Sequence, residues 1–273
     1  MSKFKLSMLL VLVLMVTIPS ALPQVQAAAR GTGTAVISDG TDLSDTITYA
    51  MTGVTVPSDG GYEGWLVSGD GGKMSTGVMA VGSDGVISHK FTSDSGENLI
   101  ANYHKVQITE ESSGAVVFSS EIPSAGMAHI RHLVSEGPGG EGNGILSALK
   151  GQLDVAVANA ALASSATDVA GIHKYMEIVV NALEGESGSN YGDLDGDGAT
   201  GDEGDGTGAI THAQNRSHAL LAADASPSED EIIKHADLLE IVGKNTEDWA
   251  TAARDKALTV LATTNLNLAK VLV

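Results

Sequence analysis

Gly137-Pro138-Gly139-Gly140-Glu141-Gly142 separates two parts of the chain that obey different periodicities. Clustered glycine and proline interrupt helices and strands alike, so residues 137–143 are read as a Gly-rich linker. Upstream of it, to about Val134, the sequence is a series of short β-rich runs. Downstream it becomes Ala-rich, and the apolar spacing changes from 2 to 3 or 4. The expected fold is α+β in two domains: an antiparallel, Ig-like β-sandwich over 30–136, then an α-helical bundle of four to five helices over 144–273.

In the first domain, strands are expected at Thr34–Ser38, Thr46–Thr52, Gly64–Ser68, Gly77–Ala80, Val86–Phe91, Tyr103–Thr109 and Ala115–Ser119, separated by turns such as Asp39-Gly40, Asp59-Gly60, Asp70-Gly71 and Asp84-Gly85. Val106 and Ile108, alternating with Lys105, Gln107 and Thr109, give one dry and one wet face. In the second domain, Ile145, Leu149, Leu153 and Ala156 mark one helix, and Val169, Ile172, Met176, Val179 and Leu183 a second that Gly185 can end. A third is expected from Gly208 to Ala223. A fourth would open on a capping box, Ser226-Pro227-Ser228-Glu229, and stop at Gly243. Asn245 would cap a fifth carrying Trp249, Ala253, Val260, Leu261 and Leu268.

Lys3 and Lys5 precede an apolar run, Met8 to Ile18, followed by Pro19 and small residues around Ala27. This is the three-part pattern of a secretory signal over residues 1–29, and the run is well short of the about 20 residues that span a bilayer. The mature chain is therefore expected to be secreted or extracytoplasmic, with no membrane span after signal cleavage. The full sequence of 273 residues carries 34 acids against 15 Lys and Arg, a formal charge of −19, which argues against nucleic acid as a partner. The absence of cysteine excludes disulfides, thiolate metal sites and a Cys nucleophile.

The most informative segment is the acidic loop at 190–208, with the core Asp193-Leu194-Asp195-Gly196-Asp197-Gly198-Ala199. Calcium takes six to eight hard oxygens, and carboxylates at positions 1, 3 and 5 of a tight loop converge when a Gly at position 6 permits the turn. Asp193, Asp195 and Asp197 supply the carboxylates, Gly198 the turn, and Ala199 a backbone carbonyl at position 7. From Tyr175 to Asn215 there are nine acids, Glu177 among them, and no Lys or Arg, so a cation would relieve their repulsion. The loop resembles those of EF-hand and dockerin-type modules over about a dozen residues, but position 12 is Gly204. The closing carboxylate would be Asp205, one place late, or Glu203, one place early; Asp205 is preferred because glycines flank it. The alternative is a solvated acidic linker.

Tyr62-Glu63-Gly64-Trp65-Leu66-Val67, followed by Gly71-Gly72-Lys73-Met74-Ser75-Thr76-Gly77 and Ser83-Asp84-Gly85, resembles the extracytoplasmic domain of anti-sigma-K factors over about Thr48 to Pro123. The resemblance implies a fold and not transcription control, because the family's cytoplasmic sigma-binding segment has no counterpart here. Trp65 is expected to anchor the core beneath the two sheets.

Eight histidines, at 89, 104, 129, 132, 173, 212, 218 and 235, show no zinc-type spacing. His129 and His132 share a face only if their segment is helical. No Gly-x-Ser-x-Gly, His-Glu-x-x-His or phosphate-binding Gly-Lys-Ser/Thr motif is present. The leading expectation is a non-enzymatic, calcium-binding protein that recognises a protein or cell-surface partner. The competing one is a haem or transition-metal carrier using His173, His212, His218 and His235.

Overall fold

Residues with β-branched and apolar side chains, cut by Asp-Gly turns, pair into antiparallel ladders in the first part of the chain. The structure, a computed structural model, describes residues 12–16, 31–57, 60–137, 140–141 and 143–273. One sheet has the order β1-β2-β3-β6, formed by Leu12–Val16, Thr32–Ser38, Thr46–Thr52 and Ile87–Thr92. The other has the order β5-β4-β7-β8, formed by Lys73–Met79, Tyr62–Ser68, Tyr103–Glu110 and Val116–Glu121. A single turn of helix, α1 (Leu99–Asn102), precedes β7. The expected signal peptide lies outside the described residues except for Leu12–Val16, which pair antiparallel with β2.

Both sheets contribute to one apolar core, with Ile47, Tyr49 and Ile87 from one and Leu66, Val106, Ile108 and Phe118 from the other. Tyr49 is fully buried because its hydroxyl is hydrogen-bonded to Thr76 Oγ1 at 2.9 Å. Trp65 corrects the expectation placed on it. Side chains alternate along a strand, and since Leu66 points into the core, Trp65 points away from it, half-buried, with its indole N–H donated to Thr109 Oγ1.

The chain divides into two units, Met1–Met127 with Ala225–Glu231, and Ala128–Asp224 with Ile232–Val273. Helix α2 (Ser124–Val134) occupies the segment just before the Gly-rich stretch, and Glu136–Gly137 (β9) and Gly140–Glu141 (β10) make a two-residue ladder within that stretch. The remaining helices are α3 (Ile145–Ser165), α4 (Val169–Glu184), α5 (Ala209–Gln214), α6 (Ser217–Asp224), α7 (Asp230–Leu261) and α8 (Leu266–Leu272). In the second unit, small residues such as Ala156, Ala163, Ala209, Ala250 and Ala257 let helices approach closely around Ile172, Val179, Val180 and Leu183. Among the described residues no helix is long and apolar enough to cross a membrane.

The helix count differs from the four to five expected. The third expected helix is two, α5 and α6, broken at Asn215-Arg216. The capping box does not form: Ser226 to Glu229 make a turn and the helix begins at Asp230. The fourth and fifth helices are one, α7, of 32 residues, running straight through Gly243. Trp249, named among the residues of the fifth helix, is 71% exposed.

Gly243 continues the helix because its missing side chain is the space into which Arg216 folds; a Cβ there would press on Arg216 Cβ, Cγ and Cδ. Seated in this notch, Arg216 donates Nε–H to Glu240 and Nη1–H to Glu247, one on each side of the glycine. Gly243→Ala should therefore lower stability by about 1–2 kcal/mol, although alanine is the better helix former by about 1 kcal/mol. Thermal melts of the two proteins check this; a raised melting temperature would contradict the notch.

Candidate metal centre

Helix α4 is started by Asp168, whose side chain accepts the Gly171 N–H, and ended by Gly185 at φ +79°. Between them two buried polar side chains, Glu177 and Asn181, interrupt the apolar stripe one turn apart on one face. Glu177 Oε2 accepts the N–H groups of Leu194 at 2.6 Å and Asp195 at 2.8 Å, and its Oε1 accepts that of Gly201 at 2.5 Å. Asn181 Oδ1 accepts the Gly192 N–H, while its Nδ2 donates to the carbonyls of Gly192 and Gly201. These two residues hold both limbs of the acidic loop against α4.

The loop is also pinned where it enters and leaves. Glu186 donates its N–H to Gly206 O at 2.8 Å, and a Cβ on Gly185 would overlap the Thr207 carbonyl. Along the loop each aspartate carboxylate is capped by amides further on. Asp193 accepts from Gly196 and Gly198, Asp195 from Asp197, and Asp197 from Ala199. Gly196 and Gly198 adopt positive φ, 78° and 93°, which tightens the chain around these side chains.

One carboxylate oxygen from each of Glu177, Asp193 and Asp195 lies within 4.8 Å of the other two, Glu177 buried and Asp193 exposed. Such a group, closed on the helix side and open to solvent on the other, could hold a metal ion. Its donor set is all oxygen, which fits a hard cation. Asp197 and Ala199 follow in the same turn series, both exposed.

Four of the other acids of the segment are already matched. Glu184 pairs with Arg254, Glu203 accepts from Asn159 Nδ2 at 3.0 Å, and Asp202 accepts the Tyr191 hydroxyl at 3.1 Å. Asp205 lies 2.7 Å from Nε2 of His212, a histidine with a fully buried side chain, and also accepts the Thr207 N–H. Burial pushes the Asp205 pKa up, but the Thr207 amide and His212 more than offset it, leaving it below the ordinary value. The structure thus gives Asp205 to α5 and does not gather it with Asp193 and Asp195. No cationic side chain pairs with Glu177, Asp193, Asp195 or Asp197 among the described residues. Two buried oxygens on α3, Gln152 Oε1 and Asn159 Oδ1, have no partner, and a Cβ on Gly204 would run into the first.

Glu177 and Asn181 are the residues that sequence reasoning missed as parts of the site. The available signal was two polar side chains four apart on a face otherwise filled by Met176, Val180 and Leu183. The other histidines separate. His173 Nε2 contacts Thr263 O, His89 Nε2 contacts Thr76 O, His104 faces Glu121, and His235 is exposed on α7. His218 on α6 meets His129 and His132 on α2, with ring centroids 5.3 and 4.9 Å away. Burial, then the neighbouring rings of His132 and His129, pull the His218 pKa down, so its ring is neutral at pH 7.

No protein-family profile, curated protein or solved structure matches the chain.

Proposed function

We propose that the chain is an exported, non-enzymatic protein whose acidic loop binds calcium, with Asp193, Asp195, Asp197 and the Ala199 carbonyl supplying oxygens beside Glu177. The observation that carries this reading is the convergence of three carboxylates within 4.8 Å where, among the described residues, no cationic side chain answers them. An all-oxygen donor set selects calcium or magnesium over transition metals, and a loop offering several carboxylates and a backbone carbonyl suits the larger ion. Asp205 serves as a tether to His212 in this reading and not as the closing ligand. Extracellular calcium modules commonly work at Kd values of about 10⁻⁴ to 10⁻³ M, which matches export through the signal at residues 1–29.

The first unit is taken as an Ig-like sandwich of the anti-sigma-K type and the second as a helical bundle. Their role is to present a surface to a protein or cell-surface partner, the calcium serving to order the bundle. Saturating calcium should stabilise the chain by about 2.7 kcal/mol at a hundredfold excess over Kd, seen as a rise in melting temperature. Asp195→Ala should remove that rise while leaving the calcium-free melting temperature close to that of the wild type. A wild-type melting curve indifferent to calcium ends the proposal.

A further inference from the structure

The histidines that matter most are not those of the bundle interior but a trio brought together from distant parts of the second unit. His129 and His132, three apart on α2, present their rings to His218 near the start of α6. The backbone beneath them is held, because Leu133 and Ala219, the next residue along from His132 and His218, are buried with Ala236 in one apolar cluster. Nδ1 of His129 and Nδ1 of His218 lie 3.1 Å apart. Two nitrogens at that separation, each about 2.0–2.1 Å from a shared ion, subtend an angle of roughly 100°, within the range of tetrahedral zinc coordination. The same pair without metal is bridged by one ring proton, and the ion would take that proton's place.

His132 is prepared in a different way. Its Nδ1 lies 3.1 Å from the Glu136 carbonyl oxygen, which can only accept, so Nδ1 carries the proton and Nε2 is left with its lone pair. A backbone carbonyl that sets the tautomer in this way is the usual outer support of a metal-binding imidazole. His132 is exposed and makes no direct hydrogen bond to His218; the nitrogens of the three rings do not all lie within 4.8 Å of one another, so His132 would join the other two only by turning about its side-chain torsions.

We infer that His129, His132 and His218 form a binding site for a divalent transition metal ion such as zinc, nickel or copper, separate from the acidic loop. Three imidazole donors leave at least one coordination position open to water or to a ligand from outside. Nitrogen donors prefer these metals to calcium, so the two sites accept different ions from one solution.

The test uses the full chain stripped with chelator and titrated with zinc chloride by calorimetry in the presence of saturating calcium. One-to-one binding is expected. His218→Gln and His129→Gln should each weaken it by more than the roughly 10–100-fold that loss of an outer support costs. Asp193→Asn should leave it unchanged. Circular dichroism of each variant shows whether it is folded, and ring-nitrogen NMR of the wild type gives a second readout, in which zinc should shift the resonances of these three histidines. The proposal is overturned if the wild type shows no saturable binding, if His218→Gln binds as tightly, or if zinc shifts other rings such as His104 or His235 instead.

Discussion

Glu177→Ala should cost the second unit about 3–5 kcal/mol, more than truncation of any single side chain of the loop that it holds. The carboxylate is buried and receives three backbone N–H groups from residues 194, 195 and 201. Removing it leaves all three donors without their acceptor at the inner side of the loop, where water reaches them poorly. Hydrogen bonds to charged groups contribute about 1.5–3 kcal/mol each, and relaxation of the loop recovers part of the loss. Glu177→Gln keeps the volume but turns an N–H2 toward at least one of these donors, so it should fall between alanine and wild type. Urea unfolding followed by far-ultraviolet circular dichroism in the absence of calcium reads the difference. An alanine variant within about 1 kcal/mol of wild type would mean that Glu177 does not organise the loop.

Gly185→Ala is the second large effect, expected at about 3 kcal/mol or more. Two penalties act together. The residue sits at φ +79°, where a side chain is disfavoured, and the added methyl would overlap the Thr207 carbonyl across the loop's neck. Backbone cannot step aside as the end of a flexible side chain can. Gly208→Ala, at φ +84° and against the backbone of Glu184 and Gly185, should behave alike. Denaturant midpoints for the two variants check this, and normal stability in both would show that the neck is open in solution.

Much of the architecture could be read from local chemistry. The Asp-Gly turns, the alternation of Val106 and Ile108 and the stop at Gly185 each depend on residues a few positions apart. Where the sequence misled, the deciding partner was remote. Gly243 resembles a helix stop until Arg216, 27 positions earlier, is found lying in its notch. Glu177 was visible only as one more negative charge, because its role depends on amides 17 to 24 residues further on. The three-histidine group was equally hidden, since His218 lies 86 residues beyond His132 and the helicity of α2 was not foreseen.

The acidic loop has consequences for anyone who wishes to cut or extend this protein. By composition, residues 185–208 look like the obvious place for an inserted tag, a protease site or a fragment boundary. They are instead stitched to three helices, through Asn159 on α3, Glu177 and Asn181 on α4, and His212 on α5. Insertions are better tolerated at the hairpin tip 111–114 between β7 and β8, where every residue is exposed and Gly114 faces open space.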